Sequence, residues 1–206
     1  MRIVKALRGV TCFLTIFPVG SCRGRACEHC DDCFREAASH MYLFPIVGAF
    51  IGLLVGLFTW ALLHTLSSLI VGMLSLGLLL VITGLHHTDG LLDFGDAVIL
   101  PATRERRIEV MHDQQMGAGG LALGLVTLGT TALSIAELNP KTVIQAVAVC
   151  EVSAKLAMTF SAWAGTSAYP GLGKLFIDNM HSRFRNLRLL AALSSSLFIA
   201  ALLFLS

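Results

Sequence analysis

Five largely apolar runs, each about twenty residues long, dominate this 206-residue sequence: Met41–Leu63, Ser67–Leu85, Gly117–Leu138, Thr142–Trp163 and Leu187–Ser206. A helix rises about 1.5 Å per residue, so a run of about twenty matches the roughly 30 Å hydrocarbon core of a bilayer. With 55% hydrophobic and 14% charged residues and a mean hydropathy of +0.77, a soluble cytoplasmic enzyme is excluded. The pattern predicts an all-α, polytopic integral membrane bundle of five full spans, read as one membrane domain over 1–206. A sixth apolar run, Gly9–Gly20, is too short to cross and holds Pro18, so an interfacial or re-entrant N-terminal helix is expected there. It also lacks the small-residue cleavage site of a secretory leader.

The basic residues say which way the spans face. Thirteen of the fifteen lie in four blocks: Arg2, Lys5 and Arg8; Arg23, Arg25 and Arg35; Arg104, Arg106 and Arg107; Lys174, Arg183, Arg185 and Arg188. With five crossings all four blocks share one side, and only Lys141 falls on the other. The positive-inside rule makes the polar segments 20–40 and 86–116 cytoplasmic, in a protein of the cell membrane. The fifteenth, Lys155, stands one turn after Glu151 inside a span, either as a structural ion pair or as a functional intramembrane charge. Gly48, Gly52 and Gly56 recur every four residues, the spacing that lets two helices approach closely.

The chemistry concentrates in Thr83–Ala97, just after the second run. Asp89, Asp93 and Asp96 stand at i, i+4 and i+7, which on a helix gathers three carboxylates on one face. Such a face repels itself unless a cation neutralises it, and hard oxygens in this pattern suit Mg²⁺, which takes one or two carboxylates plus substrate phosphate oxygens. Magnesium-dependent chemistry on a phosphate or diphosphate follows, with a solvated polar helix end as the bland alternative. Asp113 is a candidate fourth ligand, and His87 a candidate proton acceptor. Thr103 suits the N-cap of a short helix. Arg104 and Arg106 suit phosphate recognition or simple topology signalling. Gly117 and Gly120 open the next span, where backbone N–H groups at a helix start attract an anion.

These residues resemble the cobalamin synthase family, the adenosylcobinamide-GDP ribazoletransferases. The shared pattern is His87-x-Asp89-Gly90-Leu91-x-Asp93-x-x-Asp96, then Arg104-x-Arg106, then Glu109-x-Met111-x-Asp113 and Gly117. Thr15–Val19, Phe44–Gly48 and Gly171–Gly173 with Phe176 extend the likeness over roughly residues 11–180. The resemblance implies a transferase that joins α-ribazole, or its 5′-phosphate, to adenosylcobinamide-GDP, with GMP released and aspartate-bound Mg²⁺ on the diphosphate. Corrinoid nucleotide, α-ribazole and the lipid bilayer are then the partners; no nucleic acid is expected, and self-association stays open. Ala97, Gln114 and Gln115 depart from the family's usual Gly, Ser and Arg, and a later Thr-Gly-Asp-x-x-Gly-Ala segment known in the family does not occur in this sequence.

Four cysteines, Cys22, Cys27, Cys30 and Cys33, crowd the 20–40 loop. In a reducing cytoplasm their spacing suits a structural Zn²⁺ or an iron–sulfur cluster, with four reduced thiols as the alternative. Cys12 and Cys150 lie in apolar runs and are expected in the core. Two other functions fit parts of the sequence. A CDP-alcohol phosphatidyltransferase also uses helically spaced aspartates, but Asp93-Phe94 stands where its Ala-Arg is needed. A cation transporter would carry midplane charges in several spans, whereas here one does.

Overall fold

A computed structural model describes residues 2–19 and 30–205. Among them the chain forms ten helices and no strand: α1 Arg2–Leu14, α2 Cys30–Ser39, α3 Phe44–Leu62, α4 Ser68–Thr83, α5 His86–Ile99, α6 Arg104–Val110, α7 Ala118–Ala136, α8 Val143–Ala164, α9 Leu172–Met180 and α10 Arg185–Leu205. A single 3₁₀ turn, Met41–Leu43, leads into α3. With that turn, α3 is long and apolar enough to cross a membrane, as are α7, α8 and α10. This is the all-α polytopic architecture that the apolar runs predict. Contacts gather the chain into two compact units, one of Met1–Trp60 with Pro140–Ser206 and one of Ala61–Asn139.

The first unit is built on α3 and α8. A Cβ on Gly48 would come 2.7 Å from the Glu151 carbonyl oxygen, one on Gly52 2.5 Å from Ala148 Cα, and one on Gly56 2.9 Å from Ile144 Cα. The four-residue glycine spacing is therefore a backbone-to-backbone seam. Beside it, Lys155 Nζ donates to Glu151 Oε2 at 3.2 Å, with the two side chains only 5% and 12% exposed. The pair serves the structural reading: each charge is satisfied where the seam shuts out other partners. One turn on, buried Thr159 Oγ1 donates to the Met41 carbonyl at 3.1 Å, tying α8 to the start of α3.

Three short amphipathic helices complete this unit. In α1, Ala6, Val10 and Leu14 are buried while Lys5 and Arg8 are exposed. The helix begins at Arg2, upstream of the expected Gly9–Gly20 run, because Lys5 and Arg8 share one face and leave the apolar stripe continuous. Phe13 anchors it, 6.0 Å from Phe34 of α2, 5.9 Å from Phe44 of α3 and 4.6 Å from Phe176 of α9. Basic residues finish helix ends: His181 Nε2 and Arg185 Nη2 donate to the Trp163 carbonyl of α8 at 3.1 and 2.6 Å, and Arg188 Nη1 to the Asn179 carbonyl of α9 at 2.5 Å. Cys150 corrects its expectation. It is exposed on α8 rather than packed in the core, and Cys12 is half-buried. On α10, Leu190, Leu197, Phe198 and Leu202 are exposed, as on a helix facing lipid.

In the second unit α4 packs on α7, with Gly72 so close to the Ala132 carbonyl that no Cβ fits. The expected second span, Ser67–Leu85, is shorter than a full crossing. At its end Leu85 N donates to the Leu80 carbonyl and Gly84 N to the Val81 carbonyl, both at 3.1 Å, which closes α4 with a Schellman motif. Gly84 and Leu85 have φ of 67° and 63°. The two left-handed residues turn the chain by 99° into α5, so α4 and α5 count as a fifth crossing only if the bent pair is one broken span.

Candidate active site

We read α5 as lying outside the spans, since it leaves α4 through this bend and carries three aspartates and two histidines in fourteen residues. Asp89 and His87 are exposed in its first turn, and Asp93 and Asp96 are half-buried. On α5 the i, i+4 and i+7 spacing sets Asp89 and Asp96 to either side of Asp93 along one face. Burial raises the Asp93 carboxyl above the ordinary carboxylate range, the charges of Asp89 and Asp96 raise it further, and His112 partly opposes them.

The third aspartate does something the spacing does not disclose. Asp96 Oδ2 accepts the Gly117 N–H at 2.7 Å, and Oδ1 accepts the Gly120 N–H at 2.8 Å. These are the leading N–H groups of α7, which no intrahelical carbonyl can satisfy. Backbone donation from Gly120 and Gly117, with a smaller share from Gly119, holds Asp96 below the ordinary carboxylate range despite some opposing burial. The anion at the start of this helix is thus the chain's own carboxylate, where the sequence suggested a substrate phosphate for Gly117 and Gly120. The glycines admit it: a Cβ on Gly117 would strike Asp96 Oδ1, and one on Gly120 would lie 2.7 Å from Oδ2.

Between α5 and α7 the chain makes a short helical excursion. Thr103 caps α6 as expected, its Oγ1 accepting Arg106 N at 3.4 Å. Arg106 Nη1 donates to Glu109 at 2.7 Å across an exposed pair, and Arg107 Nε closes on the Leu100 carbonyl at 3.0 Å, binding α6 back to the end of α5. Arg104 opens α6 and is exposed. Asp113 turns the following link, Oδ1 accepting Gln115 N at 3.2 Å. His112, which the motif reading passed over, donates from Nδ1 to the Ile108 carbonyl at 2.7 Å and lies near enough to Asp93 to lower its pKa. A histidine beside an already suspected aspartate was the available signal.

Among the described residues no three His, Cys, Asp or Glu side chains are gathered closely enough to hold one ion. Mg²⁺ commonly takes only one or two carboxylates, the rest being water and substrate oxygen. The Asp89–Asp93 pair fits that demand by its hard oxygens and by the crowding of negative charge felt at Asp93. Cys22 and Cys27, with the side chains of Cys30 and Cys33, lie outside the described residues.

Fold and site together define a polytopic helical membrane protein with an acidic helix laid against the start of a later span. The chain belongs to the cobalamin-5-phosphate synthase family, whose model matches residues 6–206. It is 33% identical over 182 residues to a Methanocella arvoryzae protein named adenosylcobinamide-GDP ribazoletransferase, covering 87% of this chain and 65% of that one. Proteins of the same name from Methanosarcina mazei, 28% identical over 184 residues, and Sulfolobus acidocaldarius, 31% identical over 212 residues, match 81% and 100% of the chain and 63% and 77% of their own lengths. The chain thus spans about two thirds of the length of such relatives. No solved structure matches it.

Proposed function

We propose that this protein joins α-ribazole, or its 5′-phosphate, to adenosylcobinamide-GDP, releasing GMP and forming the phosphodiester of adenosylcobalamin or its 5′-phosphate. The observation that carries the reading is the family match across residues 6–206, which takes in the whole acidic unit. The ribazole hydroxyl attacks the phosphorus bonded to cobinamide, and the P–O bond to GMP breaks. Asp89 and Asp93 are the residues that would hold Mg²⁺, which would supply neutralisation of the negative charge on the diphosphate. His87 and His112, at opposite ends of the acidic segment, are the side chains from which the hydroxyl's proton acceptor is chosen. Arg104 and Arg106, both exposed on the short helix α6, are the proposed phosphate contacts.

In this reading the acidic segment faces the cytoplasm, because its Arg104–Arg107 block obeys the positive-inside rule with the other basic blocks. The phosphatidyltransferase and transporter alternatives have no family support. The test is to incubate detergent-solubilised protein with adenosylcobinamide-GDP, Mg²⁺ and either ribazole form, and to measure GMP and corrinoid product. Magnesium-dependent formation of both supports the assignment; no GMP with either acceptor overturns it. For the cysteine loop, Zn²⁺ retained by purified protein and lost on substitution of Cys30 and Cys33 is the expected elemental analysis.

A further inference from the structure

We infer that Asp96 is a positioning residue whose carboxylate clamps α5 to the first turn of α7, leaving metal binding to Asp89 and Asp93. Both carboxylate oxygens of Asp96 are engaged. Each of the two accepts a backbone N–H from α7, at 2.7 and 2.8 Å, distances typical of charge-assisted bonds. Two donors from separate residues fix the carboxylate in position and plane. A divalent ion on the same oxygens would meet the positive end of the helix dipole as well as the N–H groups.

The backbone around Asp96 is shaped for this contact. A Cβ on Gly95 would come 2.8 Å from Gly120 Cα, one on Gly119 2.7 Å from the Gly95 carbonyl, and one on Gly120 2.5 Å from the Leu92 carbonyl. The two helices therefore cross at main-chain contact at the residue before Asp96, and the carboxylate beside that crossing pins it. Asp93 lies one turn back on the same helix, so rotation or sliding of α5 on α7 would carry Asp89 and Asp93 with it. The clamp sets where the proposed metal pair points. It also removes Gly117 and Gly120 from the phosphate contacts, since their N–H groups are spent on Asp96.

The functional consequence rests on the proposed reaction, but the test does not. Mn²⁺ affinity and thermal unfolding are measured on the 206-residue protein in detergent for wild type, Asp96→Asn, Asp96→Ala, Asp93→Asn and Gly117→Ala. Asp96→Ala is expected to lower the Tm by about 2–4 °C, with Asp96→Asn recovering part of the loss because its carbonyl keeps one N–H bond. Gly117→Ala, which leaves every carboxylate in place but crowds Asp96, is expected to lower the Tm comparably. Mn²⁺ affinity stays within about threefold of wild type in the Asp96 and Gly117 variants and falls about tenfold or more in Asp93→Asn. In turnover, Asp96→Asn lowers kcat while the Mg²⁺ concentration giving half-maximal rate does not move. A tenfold weaker Mn²⁺ affinity in Asp96→Asn at unchanged Tm makes Asp96 a ligand and overturns the clamp. So does an unchanged Tm in Gly117→Ala, which decides the matter if Asp96→Asn fails to fold. Absence of Mn²⁺ binding in wild type defeats the metal reading of the proposed function, and the clamp then stands or falls on the Tm series.

Discussion

At the scale of single residues, the three aspartates of one helical face lead different lives. Asp93 carries a charge its neighbours oppose, and Asp96 a charge its neighbours stabilise. Their pH dependence has opposite signs. Asp96 is lowered in the folded state, so its contribution is present above the unfolded value of 3.8 and is lost as pH falls through the lower folded value. Asp93 is raised, so the folded state binds its proton more readily, and its ionisation costs stability as pH rises through that value. Thermal unfolding across acid pH therefore shows Asp96→Asn losing part of the acid sensitivity, and Asp93→Asn at neutral pH melting at or above wild type. Leu85 is a second residue under tension. It is the one non-glycine at positive φ among the described residues, a conformation that costs a branched side chain about 1 kcal/mol. Leu85→Gly is expected to raise stability by up to that amount while keeping the bend, as read by the Tm and by retained turnover.

At the scale of elements, the glycine seam between α3 and α8 and the ion pair beside it act together. Lys155→Ala leaves Glu151 buried without its partner and is expected to destabilise by about 3 kcal/mol, whereas Glu151→Leu with Lys155→Met restores most of the loss. Denaturant titration in detergent measures both. This seam was legible in advance, because four-residue spacing of glycine and of opposite charges needs only helical periodicity to interpret. The start of α1 was not: a search for uncharged runs passes over a helix whose Lys5 and Arg8 sit on its outer face. Nor was the true end of α4, since Gly84 hints at a stop but nothing in Leu85 announces a left-handed residue. The acidic face of α5 was legible from spacing. What stands opposite Asp96 was not, because Gly117 and Gly120 lie 21 and 24 residues away and only the fold brings them there.

At the scale of the whole molecule, several helices long and apolar enough to cross a membrane carry the acidic segment of the proposed reaction. If the basic blocks share one side, single cysteines introduced at Glu105 and at Asn139 react with a membrane-impermeant thiol reagent from opposite sides, Asn139→Cys from outside intact cells. The proposed class of chemistry rests on the carboxylates and the proposed corrinoid and nucleotide on family membership, because helical spacing suits a phosphate-handling cation and says nothing of what the phosphates are attached to. The central claim is that α5 carries that cation for catalysis rather than for stability. The most direct measurement is Mg²⁺-dependent GMP release from adenosylcobinamide-GDP by Asp93→Asn beside wild type, with the Tm of each. The account predicts a loss of about a hundredfold or more in rate with no loss of Tm. Wild-type release by a folded Asp93→Asn protein would contradict it.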